Sequence, residues 1–206
     1  MESGNGNFRL EKVAEAGLPS EYGLFRIYGF RGRYGDRQEE AVVLSMGHLE
    51  GDPPPLVRIH SQCLTGDVFH SLRCDCRAQL ELALARISQE GRGLLIYEHQ
   101  EGRGIGLLNK LRAYELQDEG ADTVEANERL GFEADLRLYQ LPGAILRHFG
   151  VVEVRLLSNN PEKIEALERA GVRVVERIPC QVDVSDTNAD YLRVKKLKMG
   201  HLLEGF

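Results

Sequence analysis

The sequence predicts a single α/β domain whose mixed β-sheet is flanked by helices and whose N-terminal half is rich in strands. A length of 206 residues suits one domain with its own hydrophobic core. Residues 21–63 contain runs of aromatic and β-branched residues, which are typical of strands. From Arg77 onward, short apolar runs alternate with segments of helical period, which predicts crossover units and a partly parallel sheet.

Three strands are predicted in the N-terminal half, at residues 24–30, 41–46 and 56–60. The last of them follows three consecutive prolines, which cannot donate to a β-ladder and therefore indicate a loop. Residues 1–20 are predicted to be a flexible N-terminus, because glycine and asparagine are frequent at their beginning.

The C-terminal half alternates between helices and strands. The first helix places Leu80, Ala83, Leu84 and Ile87 on one face and ends at Gly91. The elements predicted after it are a strand at 94–97, a glycine loop at 102–106, a helix from 107 that stops near Gly120, a helix at 140–149, a strand at 152–157, a helix at 161–170 and a strand at 172–175. The folded domain is thus expected to span 21–180, and the polar, lysine-rich residues 181–206 are expected to form a C-terminal tail or flap.

The composition argues against several classes of protein. The formal net charge is −6, whereas a protein with a nucleic-acid partner presents a net basic face. No apolar run approaches the roughly 18 residues of a membrane helix, and the N-terminus lacks a signal pattern. We therefore expect a cytoplasmic protein without a membrane partner. In a reducing compartment, its four cysteines are expected to be metal ligands or catalytic groups rather than disulfides.

Three of the cysteines form the pattern Cys-x10-Cys-x-Cys at Cys63, Cys74 and Cys76. Thiolates suit zinc, and two cysteines that lie two residues apart on an extended segment point to the same side. With three thiolates, one tetrahedral position stays open for water, which is typical of catalytic zinc. A structural zinc completed by Cys180 or a histidine, or three unrelated buried thiols, fits the same spacing.

Two junctions between a predicted strand and the following helix have the composition of anion sites. In the first, successive glycines at 102–106 let backbone amides approach an anion, and Arg103 can bind phosphate oxygens. A plain turn fits this loop equally well. In the second, Ser158 and Lys163 can both touch a phosphate, and the alternative is an ordinary helix cap with a solvated lysine.

Two short polar patterns can belong either to a cleft or to the surface. Strand alternation places Arg58, His60 and Gln62 on one face, which is either a solvent face or the wall of a cleft beside the metal. Asp135 and Arg137 share a face only on an extended segment. As an exposed ion pair they would contribute under about 1 kcal/mol to stability.

Seven motifs occur in order along residues 21–203. They are Arg58-Ile59-His60-Ser61-Gln62-Cys63-Leu64-Thr65-Gly66-Asp67, Ser71-Leu72-Arg73-Cys74-Asp75-Cys76, Gln100-Glu101-Gly102-Arg103, Arg112-Ala113-Tyr114, Asp122-Thr123-Val124-Glu125-Ala126-Asn127, Ser158-Asn159-Asn160-Pro161 and Lys198-Met199-Gly200-His201. Together they resemble the GTP cyclohydrolase II family, whose enzymes open the purine ring of GTP at the start of riboflavin biosynthesis.

The resemblance implies a role for each matching position. One zinc ion per subunit would be held by Cys63, Cys74 and Cys76. GTP would be bound by Arg58, Ile59, His60, Ser61, Gln62, Gln79, Glu101, Gly102, Arg103, Thr123, Ser158 and Lys163. Asp135 would be the proton acceptor, Arg137 the nucleophile at the α-phosphorus, and Tyr114 a catalytic residue near the reacting centre. The resemblance also implies a homodimer and Mg²⁺ bound with the triphosphate.

The implied reaction is hydrolysis of GTP to 2,5-diamino-6-(5-phosphoribosylamino)pyrimidin-4(3H)-one, formate and pyrophosphate. Zinc lowers the pKa of its bound water to about 7, so that this water can attack C8 of guanine. A related zinc hydrolase of purine nucleotides that stops at the formylated product is one alternative. A nucleotide-binding module with a structural zinc and no catalysis is the other.

Some positions depart from the family pattern. Gln62 stands where the family usually has Glu, Ser158 where Thr is usual, Arg77 where Gly is usual and Val194 where Thr is usual. Gln62 removes a charge beside the expected metal. The nucleophile role implied for Arg137 also conflicts with its chemistry, because a guanidinium stays protonated above pH 12. Chemistry alone makes Arg137 a clamp on the phosphates.

Overall fold

A mixed β-sheet organises residues 8–133, 135–181 and 189–203, the part of the chain that the computed structural model describes. Within those residues it has seven strands in the order β1-β2-β3-β5-β4-β6-β7. The strands are β1 (Arg9–Ser20), β2 (Gly23–Tyr34), β3 (Arg37–Met46), β4 (Leu56–Ser61), β5 (Gly93–Glu98), β6 (Glu153–Leu157) and β7 (Arg173–Ile178).

Strand direction changes at β5, so the sheet has an antiparallel and a parallel half. The chain runs antiparallel through β1, β2, β3 and β5. The remaining pairs, β5 with β4, β4 with β6 and β6 with β7, are all parallel. This confirms the predicted α/β class with a mixed sheet and a strand-rich N-terminal half.

Helices connect the parallel strands, and a last helix follows β7. They are α1 (Leu64–Asp67), α2 (Cys76–Glu90), α3 (Leu107–Asp118), α4 (Thr123–Arg129), α5 (Gln140–His148), α6 (Pro161–Arg169) and α7 (Ala189–Met199). A short 3-10 turn at Glu101–Gly104 precedes α3. None of these described helices is long and apolar enough to cross a membrane.

Both faces of the sheet are covered, as parallel strands require. On one face, Val57 and Ile59 of β4 pack with residues of α5 and α6. On the other face, Leu56 packs with Ala83 and Ile87 of α2. Strand alternation therefore turns the polar residues of β4 towards α2, and that direction places them in the site described below.

The N-terminal segment differs from the prediction of a flexible stretch over 1–20. Arg9–Ser20 form β1, which pairs with β2 from Arg9 opposite Arg33 to Ser20 opposite Gly23. The backbone hydrogen bonds to β2 order this segment. Local composition could not predict them, because they depend on another strand. Residues 1–7 lie outside the described part of the chain.

The C-terminal segment also differs from a simple tail. Residues 189–203 contain α7 and a short following stretch, and both contact the folded domain. Lys198 forms ion pairs with Asp122 and Glu125 at the start of α4, and the Leu202 amide donates to the Asn159 carbonyl at 2.8 Å. Residues 182–188 and 204–206 of the predicted tail lie outside the described residues.

Candidate active site

The carboxyl ends of the parallel strands β4, β5 and β6 meet at one edge of the sheet, where α/β proteins usually bind ligands. A cleft with an empty volume of about 1080 Å³, its open mouth included, lies at this edge. Its walls come from the segment after each of these strands, from α2, α3 and α4, and from the C-terminal segment.

Three thiols lie together at one end of the cleft. Cys63 follows β4, and Cys74 and Cys76 lie at the start of α2. Their three Sγ atoms lie within 4.8 Å of one another, with 3.7 Å between those of Cys63 and Cys74. A Cβ atom on Gly66 would lie only 2.8 Å from the Cys74 Sγ atom, so this position has to be glycine.

The protonation of these thiols fits a cation ligand set. Hydrogen bonds from Cys74 and Cys76 hold the pKa of Cys63 well below its ordinary value. The same hydrogen bond to Cys63 raises the pKa of Cys74 to about 11. A divalent cation relieves this competition, because it lets all three sulfur atoms ionise. Soft thiolate donors in a group of three match zinc.

Cys180 does not join this group. Its thiol is fully buried in the core beside α2, where its Sγ atom lies 3.8 Å from the Gln79 carbonyl. The alternative of a fourth thiol ligand is therefore not supported by its position. The three-cysteine group leaves the side that faces the cleft free of a fourth thiol from the described residues.

Lys110, on α3, is the cation closest to the thiols. Its ammonium donates to the Cys63 Sγ atom at 3.2 Å, to the Thr65 hydroxyl at 2.9 Å and to the Glu101 carboxylate at 2.7 Å. Burial alone would lower the pKa of Lys110, but the negative charges of Cys63 and Glu101 raise it above its ordinary value. The ammonium therefore stays charged beside the sulfur.

Tyr114 lies one helical turn after Lys110, on the same face of α3. Its hydroxyl lies 3.2 Å from that of Thr65, and its ring lies under the guanidinium of Arg73 at 4.8 Å. Burial raises the pKa of Tyr114, so its phenol keeps its proton at neutral pH. The phenol borders the cleft next to the thiol group.

The polar residues of β4 form a wall of the cleft rather than a solvent face. The buried Arg58 donates to the Gln79 side chain at 2.7 Å and to the Leu157 carbonyl at 3.0 Å. Its Nε atom finds no hydrogen-bond partner in residues 8–133, 135–181 and 189–203. His60 places Nε2 3.2 Å from an Asp67 carboxylate oxygen. Ile59 points to the opposite face, into the core, and its carbonyl accepts a hydrogen bond from Lys163.

Asp135 and Arg137 lie outside the helices and strands, in the segment before α5. The Arg137 Nε atom donates to Asp135 at 2.9 Å, and the backbone amide of Arg137 donates to the same oxygen at 3.0 Å. Their side chains are 11% and 12% exposed, so this is a largely buried pair and not a surface ion pair. Burial opposes ionisation of Asp135, but the hydrogen bonds from Arg137 hold its pKa below the ordinary value.

The glycine loop at Glu101–Gly104 presents a second arginine in an unusual conformation. Arg103 has φ +60°, in the left-handed region that non-glycine residues rarely adopt. Both of its terminal nitrogens are buried and have no hydrogen-bond partner within the described part of the chain. Such a backbone and such unpaired nitrogens are typical of a site that awaits an anionic ligand.

The junction after β6 holds Lys163 in a buried position. Asn160, rather than Ser158, caps α6 by accepting from the Glu162 amide at 2.9 Å. Burial, followed by the charges of Arg58 and Arg137, holds the pKa of Lys163 well below its ordinary value. The alternative of a solvated lysine is therefore wrong, although the helix cap is present.

Comparison with known proteins identifies the family. A family model described as GTP cyclohydrolase II matches residues 11–179. The chain belongs to the GTP cyclohydrolase II family. It is 53% identical to "GTP cyclohydrolase-2" of Histophilus somni (strain 2336) over 195 residues, which cover 95% of this chain and 89% of that protein.

Other members of the family are equally similar. The "GTP cyclohydrolase-2" of Teredinibacter turnerae is 54% identical over 95% of this chain and 98% of that protein. That of Haemophilus influenzae (strain PittGG) is 52% identical over 95% of this chain and 90% of that protein. A solved two-domain 3,4-dihydroxy-2-butanone 4-phosphate synthase from A. baumannii aligns with a TM-score of 0.44 and 20% identity, over 84% of this chain and 40% of that one. That similarity is too low to support an inference.

In this GTP cyclohydrolase II-family enzyme, most of the residues expected to bind zinc or GTP lie along the one cleft. Those that border it are Arg58, His60, Ser61, Gln62, Cys63, Cys74, Cys76, Gln79, Glu101, Gly102, Arg103, Tyr114, Thr123, Arg137, Ser158 and Lys163. Asp135 lies behind Arg137, and the Ile59 side chain lies in the core.

Sequence reasoning gave no role to several further residues of the cleft, among them Lys110, Lys195 and His201. Lys110 was open to detection, because it shares a helix face with Tyr114 at a spacing of four residues. His201 belongs to a quoted motif that received no role. Lys195 reaches the site through a buried ion pair with Asp75 at 2.6 Å, and that long-range contact has no local signal.

Proposed function

We propose that this enzyme hydrolyses GTP to 2,5-diamino-6-(5-phosphoribosylamino)pyrimidin-4(3H)-one, formate and pyrophosphate, the first step of riboflavin biosynthesis. The proposal includes one zinc ion per subunit, Mg²⁺ with the triphosphate, and a homodimer. It is supported by family membership and by a cleft that carries a three-thiol group at one end and buried cations at the other.

The observation that carries the proposal is the state of Arg103. Its two terminal nitrogens are buried without a partner among the described residues, while its backbone occupies a strained conformation. Leaving such donors unpaired costs free energy in the empty protein, and a phosphate oxygen would recover it. With Arg58, Arg137 and Lys163 around the same cleft, the favoured ligand carries several negative charges.

At the thiol end, Cys63, Cys74 and Cys76 would hold the zinc ion. Bound there, zinc supplies a Lewis acid that lowers the pKa of a water in its open position to about 7. Lys110 offsets the negative charge of the thiolates through its contact with Cys63. Tyr114 keeps its phenolic proton and, at the cleft wall, would orient the ring being opened by donating a hydrogen bond to it.

At the phosphate end, Arg137 would clamp the triphosphate. Burial opposes its charge, but the neighbouring Tyr139 and Asp135 raise its pKa, so that it stays protonated. A protonated guanidinium binds phosphate oxygens through its charge and its forked N–H groups, whereas it is a poor nucleophile. Asp135 would hold the guanidinium in place through their paired hydrogen bonds.

The remaining cleft residues would bind and orient GTP. Those proposed to contact it are Arg58, His60, Ser61, Gln62, Gln79, Glu101, Gly102, Thr123, Ser158 and Lys163. Ile59 would act only through its carbonyl oxygen, which accepts a hydrogen bond from Lys163 Nζ at 2.8 Å.

The test is a product analysis of the zinc-loaded enzyme incubated with GTP and Mg²⁺. We expect formate, pyrophosphate and the new pyrimidine, which is followed by its absorbance, to form in equal molar amounts. Pyrophosphate without formate would identify an enzyme that stops at the formylated product. A folded, zinc-loaded protein that releases neither would refute the proposed activity.

Two cysteine variants provide a matched pair for that assay. Cys74→Ser should lose zinc and both products, because it removes one of three ligands. Cys180→Ala removes a buried thiol outside the group and should keep its zinc. Loss of zinc from the Cys180 variant, with the fold retained, would instead indicate a structural site.

A further inference from the structure

The C-terminal residues 195–203 form a wall of the cleft that the proposed function leaves without a role. Lys195 anchors this stretch to Asp75 at 2.6 Å, between the metal-binding Cys74 and Cys76. At its other end, the Leu202 amide donates to the Asn159 carbonyl at 2.8 Å. The stretch is therefore held at both ends across the cleft.

His201 lies between these anchors and borders the cleft. Its backbone amide donates to the Lys195 carbonyl at 3.1 Å, which fixes the position of the residue. The imidazole Nε2 atom is buried, and none of the residues that the structure describes offers it a hydrogen bond. A buried polar atom without a partner costs free energy, so this nitrogen is poised for a ligand.

The surroundings of His201 identify the chemistry of that ligand. Burial, and then the positive charges of Lys195, Arg137, Lys163 and Arg103, lower the pKa of His201 to about 2. The ring is therefore neutral and carries a single N–H. The positive charges near the ring favour an anion as the ligand of Nε2.

We propose that His201 contacts the triphosphate of GTP, with its Nε2–H donating a hydrogen bond to a phosphate oxygen. This inference rests on the proposed function and adds a substrate-binding residue from the C-terminal segment. This hydrogen bond would add to those that the surrounding arginines and lysines can donate to the phosphates.

The test measures binding by calorimetry, with zinc-loaded protein and Mg²⁺ throughout. The ligands are a non-hydrolysable α,β-methylene analogue of GTP and guanosine, which lacks phosphates. His201→Leu removes the donor, His201→Gln retains an N–H at a similar position, and His48→Leu alters an exposed histidine outside the cleft.

We expect His201→Leu to bind the GTP analogue roughly tenfold or more weakly, the range for a hydrogen bond to a charged group. Its affinity for guanosine should be unchanged, His201→Gln should recover most of the loss, and His48→Leu should match the wild type. Zinc content and Tm are measured for each variant to verify that the fold is retained.

The outcomes separate this inference from the proposed function. Wild-type protein that fails to bind the GTP analogue would refute the proposed function. Wild-type protein that binds it, with His201→Leu binding equally well, would overturn the role of His201 alone. A loss that affects guanosine to the same extent would show a structural role and would also overturn the inference.

Discussion

Each buried charge around the cleft costs free energy, and together these charges favour a ligand with several negative charges. Lys163 is 4% exposed, and burial together with nearby arginines disfavours its charged form. Arg103 occupies a backbone region that costs on the order of 1–3 kcal/mol. These costs are concentrated at one cleft, which is where a polyanionic substrate would offset them.

Lys110 provides a prediction about the metal itself. Lys110→Met removes the ammonium that contacts Cys63 and leaves the Glu101 carboxylate without its cation. We expect the affinity for zinc to fall roughly 10- to 100-fold, as for other residues that support metal ligands. Competition with a chromophoric chelator measures this, and Lys12→Met, at an exposed lysine of β1, is the control. Unchanged zinc affinity would contradict the charge-balancing role.

Arg137→Lys distinguishes the clamp from the nucleophile. Lysine keeps the charge but loses the paired hydrogen bonds to Asp135, so we expect KM for GTP to rise roughly tenfold. The turnover number should change less, because a clamp binds substrate and transition state alike. Steady-state kinetics of pyrophosphate release measure both. An unchanged KM with pyrophosphate release abolished would instead support attack by Arg137 on the α-phosphorus.

At the level of elements, the loop between β5 and α3 contacts both the surroundings of the thiols and the segment that carries Arg137. In this loop, Glu101 accepts hydrogen bonds from the Leu64 amide at 2.7 Å and from Lys110, beside the thiols. Its Arg103 carbonyl accepts from the Leu136 amide at 3.0 Å, next to Arg137. The conformation of this loop therefore helps to set the positions of Lys110, beside the thiols, and of Arg137.

A pair of glycine variants tests that role of the loop. In Gly104→Ala, the new Cβ atom would lie 3.1 Å from Leu136 backbone and side-chain atoms at a φ of +92°. Gly106→Ala has a similar φ of +83° but meets nothing within 4 Å. Both should lose about 1–3 kcal/mol of stability, measured by denaturant unfolding. Only Gly104→Ala should also bind the GTP analogue more weakly; equal affinities would contradict the coupling of the loop to Arg137.

At the level of the whole molecule, the site brings together residues that are far apart in the sequence, from β4 to the C-terminal segment. A buried series of contacts runs from Arg58 on β4 through Gln79 and Asp75 to Lys195 on α7. Because Asp75 lies between two of the three cysteines, the position of α7 depends on the loop that would bind zinc.

Removal of zinc should therefore loosen the C-terminal helix. We expect a chelator to raise amide hydrogen exchange at least severalfold in residues 193–199, while the β1–β2 hairpin keeps its protection. In Lys195→Met, exchange of that helix should already be fast with zinc bound and should change little on chelation. Mass spectrometry of exchanged peptides measures both. Equal protection of α7 with and without zinc would contradict this coupling.

Much of the fold was open to prediction because its signals are local. The strands β2 to β7 carry branched and aromatic runs, and helices α2, α3, α5 and α6 carry apolar faces of helical period. The three-cysteine spacing and the glycine loop indicated the two ends of the cleft for the same reason. They consist of neighbouring residues whose chemistry can be read without knowing the rest of the chain.

The remaining features depend on partners distant in sequence. β1 is a strand because β2 supplies its hydrogen bonds, and Arg58 lines a cleft because α2, rather than solvent, covers that face of β4. Lys195 and His201 enter the site only when the C-terminal segment lies across it. Contacts between distant residues arise from packing the whole chain into one core, so composition and periodicity indicate which groups are present, and the folded chain determines which of them meet.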